Sequence, residues 1–530
     1  MNQSAPGPAP GPATTGVVNL IDCSLRDGHQ SLLATRMSTA QCLRVLPMLR
    51  DAGYGILELW GGATLDSALR FTGDDPFERL ERFRRVLDEV DRSIQVRSLC
   101  RGQNLFGYSP YADVVVKEFL KEAVRTGSSR AGASTSCIGS PHRIRIFDAL
   151  NDPRNLITAI MATKTFNGHA EAALSYTTSP VHDTNHFLRF AARCLDEGAD
   201  SLAIKDMAGL LHPADAFTLI DALHERFPHV ELTLHSHCTN GLAVASYVAA
   251  MITGHVHHLD TGYGPMAGST AQPPAELIAF FATELGLRTN VDQSLTPRID
   301  AELRTIRKEL AKVDANAEHF GGPWPSEPTT EMRDNIRQAI DLLRNRDKSS
   351  CDQAIDIIED GLMVPMGYPA VDRKQLEAQV PGGMISNLHN QLKEQGKLDL
   401  MPQILDEVPK VRKAVGYVPL VTPTSQIVGT QAAMNVMAGE PYKLVSEPFR
   451  DLILGKYGRT PGTPDPQVLA QLAAGREVYS GRPAQYVPAV DLEKVARENA
   501  NLIQSQRDLL LLLLFPLPAR QFFEKRGQPA

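Results

Sequence analysis

The feature that most constrains the fold is an eightfold alternation of short apolar segments with amphipathic helical patterns. In order, the segments are VVNLIDCSL (17–25), GILELW (55–60), VRSLCR (96–101), RIRIFDAL (143–150), HAEAALSYTT (169–178), DSLAIKD (200–206), ELTLHSHC (231–238) and HVHHLDTGY (255–263). Stretches such as AQCLRVLPMLRDAG lie between most of them, and a glycine closes the helix before the next strand. Eight βα units in about 270 residues predict an α/β fold, a (β/α)8 TIM barrel.

A doubly wound open sheet is the alternative architecture for the same alternation. It needs a reversal of strand order and a Gly-rich phosphate loop after the first strand. Neither signal is present, since the first strand runs into RDGHQ. The near-continuous apolar strands also fit a sheet that helices cover, so we favour the barrel.

The chain is too long for a barrel alone, because it has 530 residues and a barrel takes roughly 250. We predict a disordered Pro/Gly-rich tail over residues 1–16, a TIM-barrel domain over 17–295 and a mainly helical C-terminal domain over 296–530. Within the last part, the segment RNRDKSSCDQAIDIIEDGLMVPMGYPAVDRKQLEAQ, residues 344–379, is a possible excursion. The Ser/Gly-rich segment 125–142 is predicted to be a loose inserted loop.

Composition excludes several classes of protein. The charged fraction of 22% and the apolar fraction of 43% are typical of a soluble globular protein. A net charge of -7 without a Lys/Arg block argues against a nucleic-acid partner. Seven cysteines without paired spacing predict a reducing, cytoplasmic compartment. The run DLLLLLLFPLP is too short to span a membrane, and we expect a buried helix that Pro516 ends.

Polar side chains gather where the predicted strands end, which is where the active sites of such barrels lie. The first strand leads to Arg26, Asp27 and Gln30, the second to Asp66, the third to Arg101 and Tyr108, the sixth to Lys205 and Asp206, and the seventh to His235 and His237. We expect all of them at one mouth of the barrel.

The H-x-H motif of the seventh strand is the most specific signal. Residues i and i+2 of a strand share a face, so His235 and His237 present two imidazoles side by side, half of a metal site. Asp27 is a suitable oxygen ligand from across the mouth. The alternative is a pair of structural histidines, the interpretation that we prefer for HVHH at the start of the eighth strand. Cys238 faces away from the motif and is assigned to the core.

Lys205 is unexpected beside a metal, because an ammonium group repels a cation. A salt bridge to neighbouring carboxylates is one explanation, and it is the one that the residues alone favour. Carboxylation of the amine to a carbamate, which is an oxygen ligand, is the other.

A family resemblance bears on this choice. The blocks LRDGHQSLLATRM, WGGATLDSALRF, CRGQNLFGY, IFDALNDPRN, AIKDMAGLL, HSHCTNG, PGGMISNL and VTPTSQIVGTQA occur in one order between about residues 17 and 525. They resemble the carboxyltransferase component of biotin-dependent enzymes that act on pyruvate or oxaloacetate. That family includes pyruvate carboxylase, the oxaloacetate decarboxylase alpha subunit and the pyruvate-side subunit of methylmalonyl-CoA transcarboxylase.

The resemblance implies a role for each motif. It implies a divalent metal, Zn, Mn or Co, on Asp27, carboxylated Lys205, His235 and His237. It implies that Arg101 and Gln30 hold the keto acid and that Ser386, where the family usually has Thr, passes a proton between pyruvate and biotin. Further substrate-binding residues in the same pocket are Asp66, Tyr108 and Arg26. The reaction would move CO2 between carboxybiotin and pyruvate through a pyruvate enolate.

The resemblance also implies partners. No Met-Lys-Met biotinylation tripeptide occurs in the sequence, so we expect no biotinyl domain here and biotin on a separate carrier protein. A biotin carboxylase or other complex subunits would complete the system, and we expect a homo-oligomer. The helical C-terminal domain is expected to form a funnel over the barrel mouth.

Two other functions stay open at this point. Isopropylmalate synthases and hydroxymethylglutaryl-CoA lyases use the same barrel, with an RDG-x-Q strand end and an H-x-H. Gly28 is closer to their pattern than the Ala common among carboxyltransferases, but they do not explain RGQN, IKDMAGLL or PGGM. A degenerate scaffold subunit is less favoured because every ligand position is filled. HSHCT, where the family usually has HSHDT, is a further departure.

Overall fold

The computed structural model describes residues 16–129, 139–314, 325, 327–371, 384, 388–389, 392–393 and 396–526. The predicted tail, apart from Gly16, lies outside the described residues. So do Ser386 and the middle of the predicted insertion at 125–142.

Eight parallel strands form the centre of the fold, one from each predicted segment. They are β1 Val17–Asp22, β2 Ile56–Gly61, β3 Gln95–Cys100, β4 Arg143–Phe147, β5 His169–Ser175, β6 Ser201–Asp206, β7 Glu231–Ser236 and β8 His258–Thr261. A two-residue strand, β9 Arg288–Thr289, extends the sheet beside β1. The TIM-barrel prediction is confirmed.

The sheet closes because β1 pairs with strands from both ends of the order. Leu20 lies opposite Leu259 of β8, and Asp22 lies opposite Leu57 of β2. All neighbouring strands between β2 and β8 are parallel. Every strand therefore ends at the same rim, which is what brings the strand-end side chains together.

Helices cover the outside of the barrel and continue beyond it. In chain order they are α1 His29–Leu32, α2 Thr39–Asp51, α3 Thr64–Ser67, α4 Pro76–Asp88, α5 Asp113–Gly127, α6 Ile157–Thr165, α7 Thr184–Asp196, α8 Pro213–Arg226, α9 Ala243–Thr253, α10 Ala275–Glu284, α11 Thr296–Glu309, α12 Thr330–Leu343, α13 Lys348–Ile358, α14 Met401–Ala414, α15 Thr424–Ala438, α16 Glu447–Ile453, α17 Pro466–Ala473, α18 Leu492–Glu498, α19 Gln506–Leu514 and α20 Pro516–Arg526. Local sequence sets their starts: Ser38 and Gln41 form a capping box before α2, and Asp183 caps α7.

The apolar core of the barrel extends past residue 295. Helix α13 buries Ile355 and Ile358 in it, and Tyr368 lies in the same core, so the described part of the predicted excursion, residues 344–371, is packed against the barrel. A second core joins α14 to α17, with Val408, Val428 and others fully buried. The division at residue 295 stays a prediction, whereas the mainly helical character of the C-terminal part is confirmed.

The last two helices return to the barrel. Helix α19 buries Leu510 and Leu511 in the main core, and it ends before Pro516 as predicted. Arg507 Nε lies 2.6 Å from Glu122 Oε1 of α5, and the Tyr111 hydroxyl donates to the Leu514 carbonyl at 2.9 Å. Among the described helices, none has the length and apolar character that a bilayer crossing needs.

The inside of the barrel is ionic where such barrels are commonly filled with branched apolar residues. Arg97 of β3 donates to Glu58 of β2 at 2.8 Å and to both carboxylate oxygens of Asp260 of β8 at 2.8 and 2.6 Å. Arg145 of β4 pairs with Glu171 of β5 and with Asp260. All five side chains are fully buried. This network forms a polar floor beneath the strand ends.

Candidate active site

Asp27 projects into the barrel mouth from a π-helical turn, Ser24–Gly28, that directly follows β1. The turn packs tightly against the loop after β8, since a Cβ atom on Gly28 would lie 2.7 Å from the Met266 carbonyl oxygen. This close approach is a local reason for glycine where the resembling family commonly has alanine.

Asp27, His235 and His237 converge as predicted. Asp27 Oδ2 lies 3.3 Å from His235 Nε2 and 3.4 Å from His237 Nε2, and the two Nε2 atoms are 3.2 Å apart. Bonds of roughly 2.0–2.2 Å to one ion place neighbouring ligand atoms about 2.9–3.6 Å apart in octahedral or tetrahedral sites. The three atoms therefore fit a single divalent cation without rearrangement.

Each histidine is oriented by its second nitrogen. His237 Nδ1 donates to the Thr270 carbonyl oxygen at 2.6 Å, and His235 Nδ1 lies 2.7 Å from Asp260 Oδ2. With the protons held on Nδ1, both Nε2 atoms keep a free lone pair facing Asp27. The barrel floor thus fixes the tautomer that a metal ligand needs.

The protonation states suit cation binding as well. Burial lowers the pKa of His235 to about 4, so its ring is neutral at neutral pH. Burial opposes ionisation of Asp27, but the Arg26 guanidinium, 3.0 Å from Asp27 Oδ1, together with the contacts of His237 and His235, holds the pKa of that carboxyl well below its usual range. A carboxylate and imidazole nitrogens are a common ligand set for Zn and other divalent transition metals.

Lys205 ends β6 within the same group. Its Nζ lies 3.0 Å from His235 Nε2, and burial lowers its pKa to about 8. Among the described residues no carboxylate oxygen lies within 4.0 Å of Nζ, so the salt-bridge explanation finds no partner there. The amine therefore lies beside the His235 nitrogen that faces Asp27 and His237.

Arg26 and Gln30 line the adjacent side of the mouth. Arg26 Nε donates to Glu58 Oε1 at 2.5 Å, which ties it to the barrel floor. Gln30 Oε1 accepts from Ala63 N at 2.9 Å. A Cβ atom on Gly62 would lie 2.6 Å from Gln30 Oε1 and 3.4 Å from Arg26 Nη1, so the amide and the guanidinium share one small space.

The remaining predicted residues lie farther round the rim. Arg101 is buried, its Nη1 donates to the carbonyl oxygens of Phe106 and Gly107 at 2.6 and 3.2 Å, and its guanidinium lies 5.8 Å from the Tyr108 ring centroid. Tyr108 is 60% exposed. Asp66 pairs with Arg70 at 2.7 Å, and no described hydrogen bond joins it to the Asp27 group.

The second histidine cluster is structural, as predicted. His258 Nε2 pairs with Glu231 at 2.8 Å at the opposite end of the barrel. Cys238 is buried in the main core, as expected.

Sequence reasoning missed Gln272 and Asp260. Both lie within hydrogen-bonding distance of the Asp27 group or of its histidines. The available signals were weak: Asp260 is a charge within a short buried strand, and Gln272 is a polar residue in the Pro-rich loop STAQPP.

Relatives of known activity cover nearly the whole chain. Residues 376–530 match the conserved carboxylase domain family and residues 118–301 match the HMGL-like family. The chain is 35% identical over 523 residues to the methylmalonyl-CoA carboxyltransferase 5S subunit of Propionibacterium freudenreichii, covering 98% of this chain and 89% of that protein. It is also 35% identical to a pyruvate carboxylase subunit of Methanocaldococcus jannaschii, covering 97% and 79%.

A solved structure agrees over most of both chains. The carboxyl transferase domain of Rhizobium etli pyruvate carboxylase with pyruvate and biocytin has a TM-score of 0.76 and 26% identity, covering 96% of this chain and 78% of that one. The HMGL-like match stops at residue 301, so it accounts for the barrel but not for the C-terminal part. The carboxyltransferase interpretation is therefore preferred over the lyase alternative. This chain belongs to the family of biotin-dependent carboxyltransferases.

Proposed function

We propose that this enzyme moves a carboxyl group between carboxybiotin on a separate carrier protein and the pair pyruvate/oxaloacetate. The observation that carries the proposal is that Asp27 Oδ2 and the Nε2 atoms of His235 and His237 lie 3.2–3.4 Å from one another. Gln30 and Arg26 lie beside them, and the chain is similar to known carboxyltransferases. Names of its relatives, a pyruvate carboxylase subunit among them, support pyruvate as the keto acid.

A divalent cation, Zn, Mn or Co, would be held by Asp27, His235, His237 and a carboxylated Lys205. Carboxylation would give Lys205 a negative oxygen ligand, and the 3.0 Å contact of its Nζ with His235 Nε2 supports this role. When bound, the cation would act as a Lewis acid that favours negative charge on the keto acid oxygen. Buried Arg26 adds fixed positive charge at the same mouth.

Arg101 and Gln30 are proposed to bind the keto acid. A guanidinium presents paired N–H donors to a carboxylate. The Arg101 guanidinium is already held in place, because its Nη1 donates to two backbone carbonyl oxygens. The Gln30 amide is aimed by its bond to Ala63 N. Tyr108 and Asp66, farther round the rim, are proposed to line the same substrate pocket, together with Arg26.

Ser386 is proposed as the group that transfers the proton. Carboxybiotin would lose CO2, and the biotin enolate left behind would take a proton from the methyl group of pyruvate through the Ser386 hydroxyl. The resulting pyruvate enolate carbon would then attack that CO2 to form oxaloacetate. Exclusion of water by the C-terminal helices would protect that enolate from protonation. The reverse direction would use the same groups.

Further subunits are required by this reaction. We propose a biotin carboxyl carrier protein as the direct partner, with a biotin carboxylase or another carboxyl donor subunit in the complex. Two of the relatives are themselves named as subunits.

Oxaloacetate decarboxylation in the presence of free biotin tests the proposal. The purified, metal-loaded protein should decarboxylate oxaloacetate several-fold faster with biotin than without it. His235→Ala should abolish the biotin-dependent part, whereas His258→Ala, at the opposite end of the barrel, should retain it. Turnover of hydroxymethylglutaryl-CoA, or condensation with acetyl-CoA, in place of the biotin response would favour the lyase or synthase class.

Two variants separate the remaining roles. Lys205→Ala should lose cation affinity, and added acetate or formate should restore part of it, because a small carboxylate can occupy the place of a carbamate. Ser386→Ala should bind cation normally and lose biotin-dependent turnover; turnover that survives would remove Ser386 from the mechanism. No effect of carboxylates on Lys205→Ala would speak against the carbamate.

A further inference from the structure

Gln272 touches the proposed cation ligands from the loop after β8. Its side chain is 0% exposed, and its Nε2 lies 2.9 Å from Asp27 Oδ2 and 3.1 Å from His237 Nε2. The other end of the amide, Oε1, is buried and has no hydrogen-bond partner in the described part of the chain. A buried amide oxygen without a partner costs free energy, so a ligand for it is expected.

The loop that carries Gln272 is firmly held at the end of β7. Cys238 N donates to the Ala271 carbonyl at 2.8 Å, and Gly268 N donates to the Gln272 carbonyl at 2.8 Å. The neighbouring Thr270 carbonyl accepts from His237 Nδ1. The backbone therefore fixes the amide beside the ligand group, and only rotation about its terminal side-chain bond is needed to change which atom faces Asp27.

A cation at this site would conflict with the amide orientation described above. His237 Nδ1 carries its ring proton and donates it in a hydrogen bond to the Thr270 carbonyl oxygen, so His237 Nε2 has a single lone pair. That lone pair cannot accept a hydrogen bond from the Gln272 side-chain N–H and bind a cation at the same time. Reversing the amide exchanges its N and O, which occupy nearly equivalent positions. The reversal would give the buried Oε1 a partner and remove the conflict.

We propose that Gln272 turns its carbonyl oxygen to the cation and serves as an additional ligand beside Asp27, His235, His237 and Lys205. This rests on the proposed metal site. The 2.9 and 3.1 Å separations of the amide atom from Asp27 and His237 match neighbouring positions in one coordination sphere. A fifth protein ligand would favour five- or six-coordinate ions such as Mn or Co over tetrahedral Zn.

Titration of metal-free protein with Co²⁺ tests this role without an activity assay. Affinity is measured by competition with a chelator, and coordination number by the intensity of the visible Co²⁺ bands, which are stronger in four-coordinate sites. Gln272→Ala should lower Co²⁺ affinity about 10-fold or more and intensify the bands. Gln431→Ala removes an equally buried amide far from the site and should change neither.

Gln272→Glu distinguishes a residue that binds the cation from one that only donates a hydrogen bond to Asp27. A carboxylate oxygen at a ligand position should raise Co²⁺ affinity above that of the wild type. If Gln272 only donates an N–H to Asp27, the added negative charge would repel Asp27 and lower the affinity, which would overturn the proposal. Gln272→Leu keeps most of the side-chain volume and should reproduce the effects of Gln272→Ala if that variant folds poorly.

The outcomes are distinguishable from failure of the metal site itself. A wild-type protein that binds no Co²⁺ would overturn the site and Gln272 with it. A wild type that binds Co²⁺, with Gln272→Leu unchanged in affinity and spectrum, would overturn the role of Gln272 alone.

Discussion

Replacing Asp260 by Asn should destabilise the protein by several kcal/mol. Asp260 is the acceptor shared by Arg97, Arg145 and His235 inside the barrel. Although burial opposes its ionisation, the two guanidiniums hold its pKa well below the usual range. In Asp260→Asn the buried network keeps its positive charges and loses one negative charge, with no solvent to compensate.

The expected magnitude follows from this geometry. Removing one partner of a buried ion pair costs about 3–5 kcal/mol, whereas an exposed pair contributes at most about 1 kcal/mol. The matched control is Asp341→Asn, because Asp341 is 73% exposed and pairs with Arg344 at 3.2 Å on α12. The amide in Asp260→Asn also presents an N–H to His235 Nδ1 in one of its two orientations, which disturbs the tautomer and should weaken cation binding about 10–100-fold.

Guanidinium unfolding of the metal-free proteins, followed by far-UV circular dichroism, gives the first quantity, and Co²⁺ competition gives the second. We expect a loss of about 3–5 kcal/mol in the free energy of unfolding for Asp260→Asn and less than about 1 kcal/mol for Asp341→Asn. Equal losses of unfolding free energy in the two variants would refute the reasoning that the buried ion pairs of the barrel floor contribute more to stability than an exposed ion pair.

Three further predictions concern other parts of the fold. Burial raises the pKa of Glu276 to about 8, above its unfolded value, so its contribution to stability is complete in acid and is lost as pH rises towards 8; Glu276→Gln should flatten the decline of unfolding free energy between pH 5 and 8, by up to about 1.4 kcal/mol per pH unit. Gly28→Ala should cost about 1–3 kcal/mol, because its Cβ would meet the Met266 carbonyl, whereas Gly55→Ala meets nothing within 4 Å; thermal melts compare them. In Cys137→Ser, a maleimide should label no thiol of the native protein, and mass spectrometry after unfolding should count six labels, on Cys23, Cys42, Cys100, Cys194, Cys238 and Cys351.

Each of these has a clear contrary outcome. An unchanged pH slope in Glu276→Gln would mean that Glu276 is ionised in the folded protein. Equal melting temperatures for the two glycine variants would show that the turn after β1 can open. Native labelling of Cys238 would contradict its place in the core.

Much of the architecture was predictable because apolar strand segments, amphipathic helical patterns and the glycines that end the helices repeat along the sequence. The eight strands and the gathering of Asp27, Lys205, His235 and His237 follow from strand ends alone, since closure of the barrel requires no knowledge of individual contacts. The barrel floor was not predictable in this way. Arg97 and Asp260 meet across 163 residues of chain, and one strand's sequence does not reveal whether its charged face meets solvent or another strand.

The loop of Gln272 was missed for a related reason. Its side chain reaches Asp27 over a sequence separation of 245 residues, and nothing within STAQPP distinguishes a buried amide from an exposed one. Helix α13 was underestimated because the stretch 340–372 resembles the family poorly. Its apolar spacing, which buries Ile355 and Ile358, was nevertheless visible.

The return of α19 to the barrel has a consequence for synthesis on the ribosome. Helix α5 ends at Gly127, and α19, which covers it, begins at Gln506, so 378 residues are made between the two. At 5–20 residues per second this delay lasts about 20–75 s. During that time the outer face of α5 that receives Arg507 and the rest of α19 stays uncovered, and it stays so after β8, which ends at Thr261, has closed the barrel. The nascent chain therefore presents a transient apolar surface, a natural contact for a chaperone until the last helices emerge.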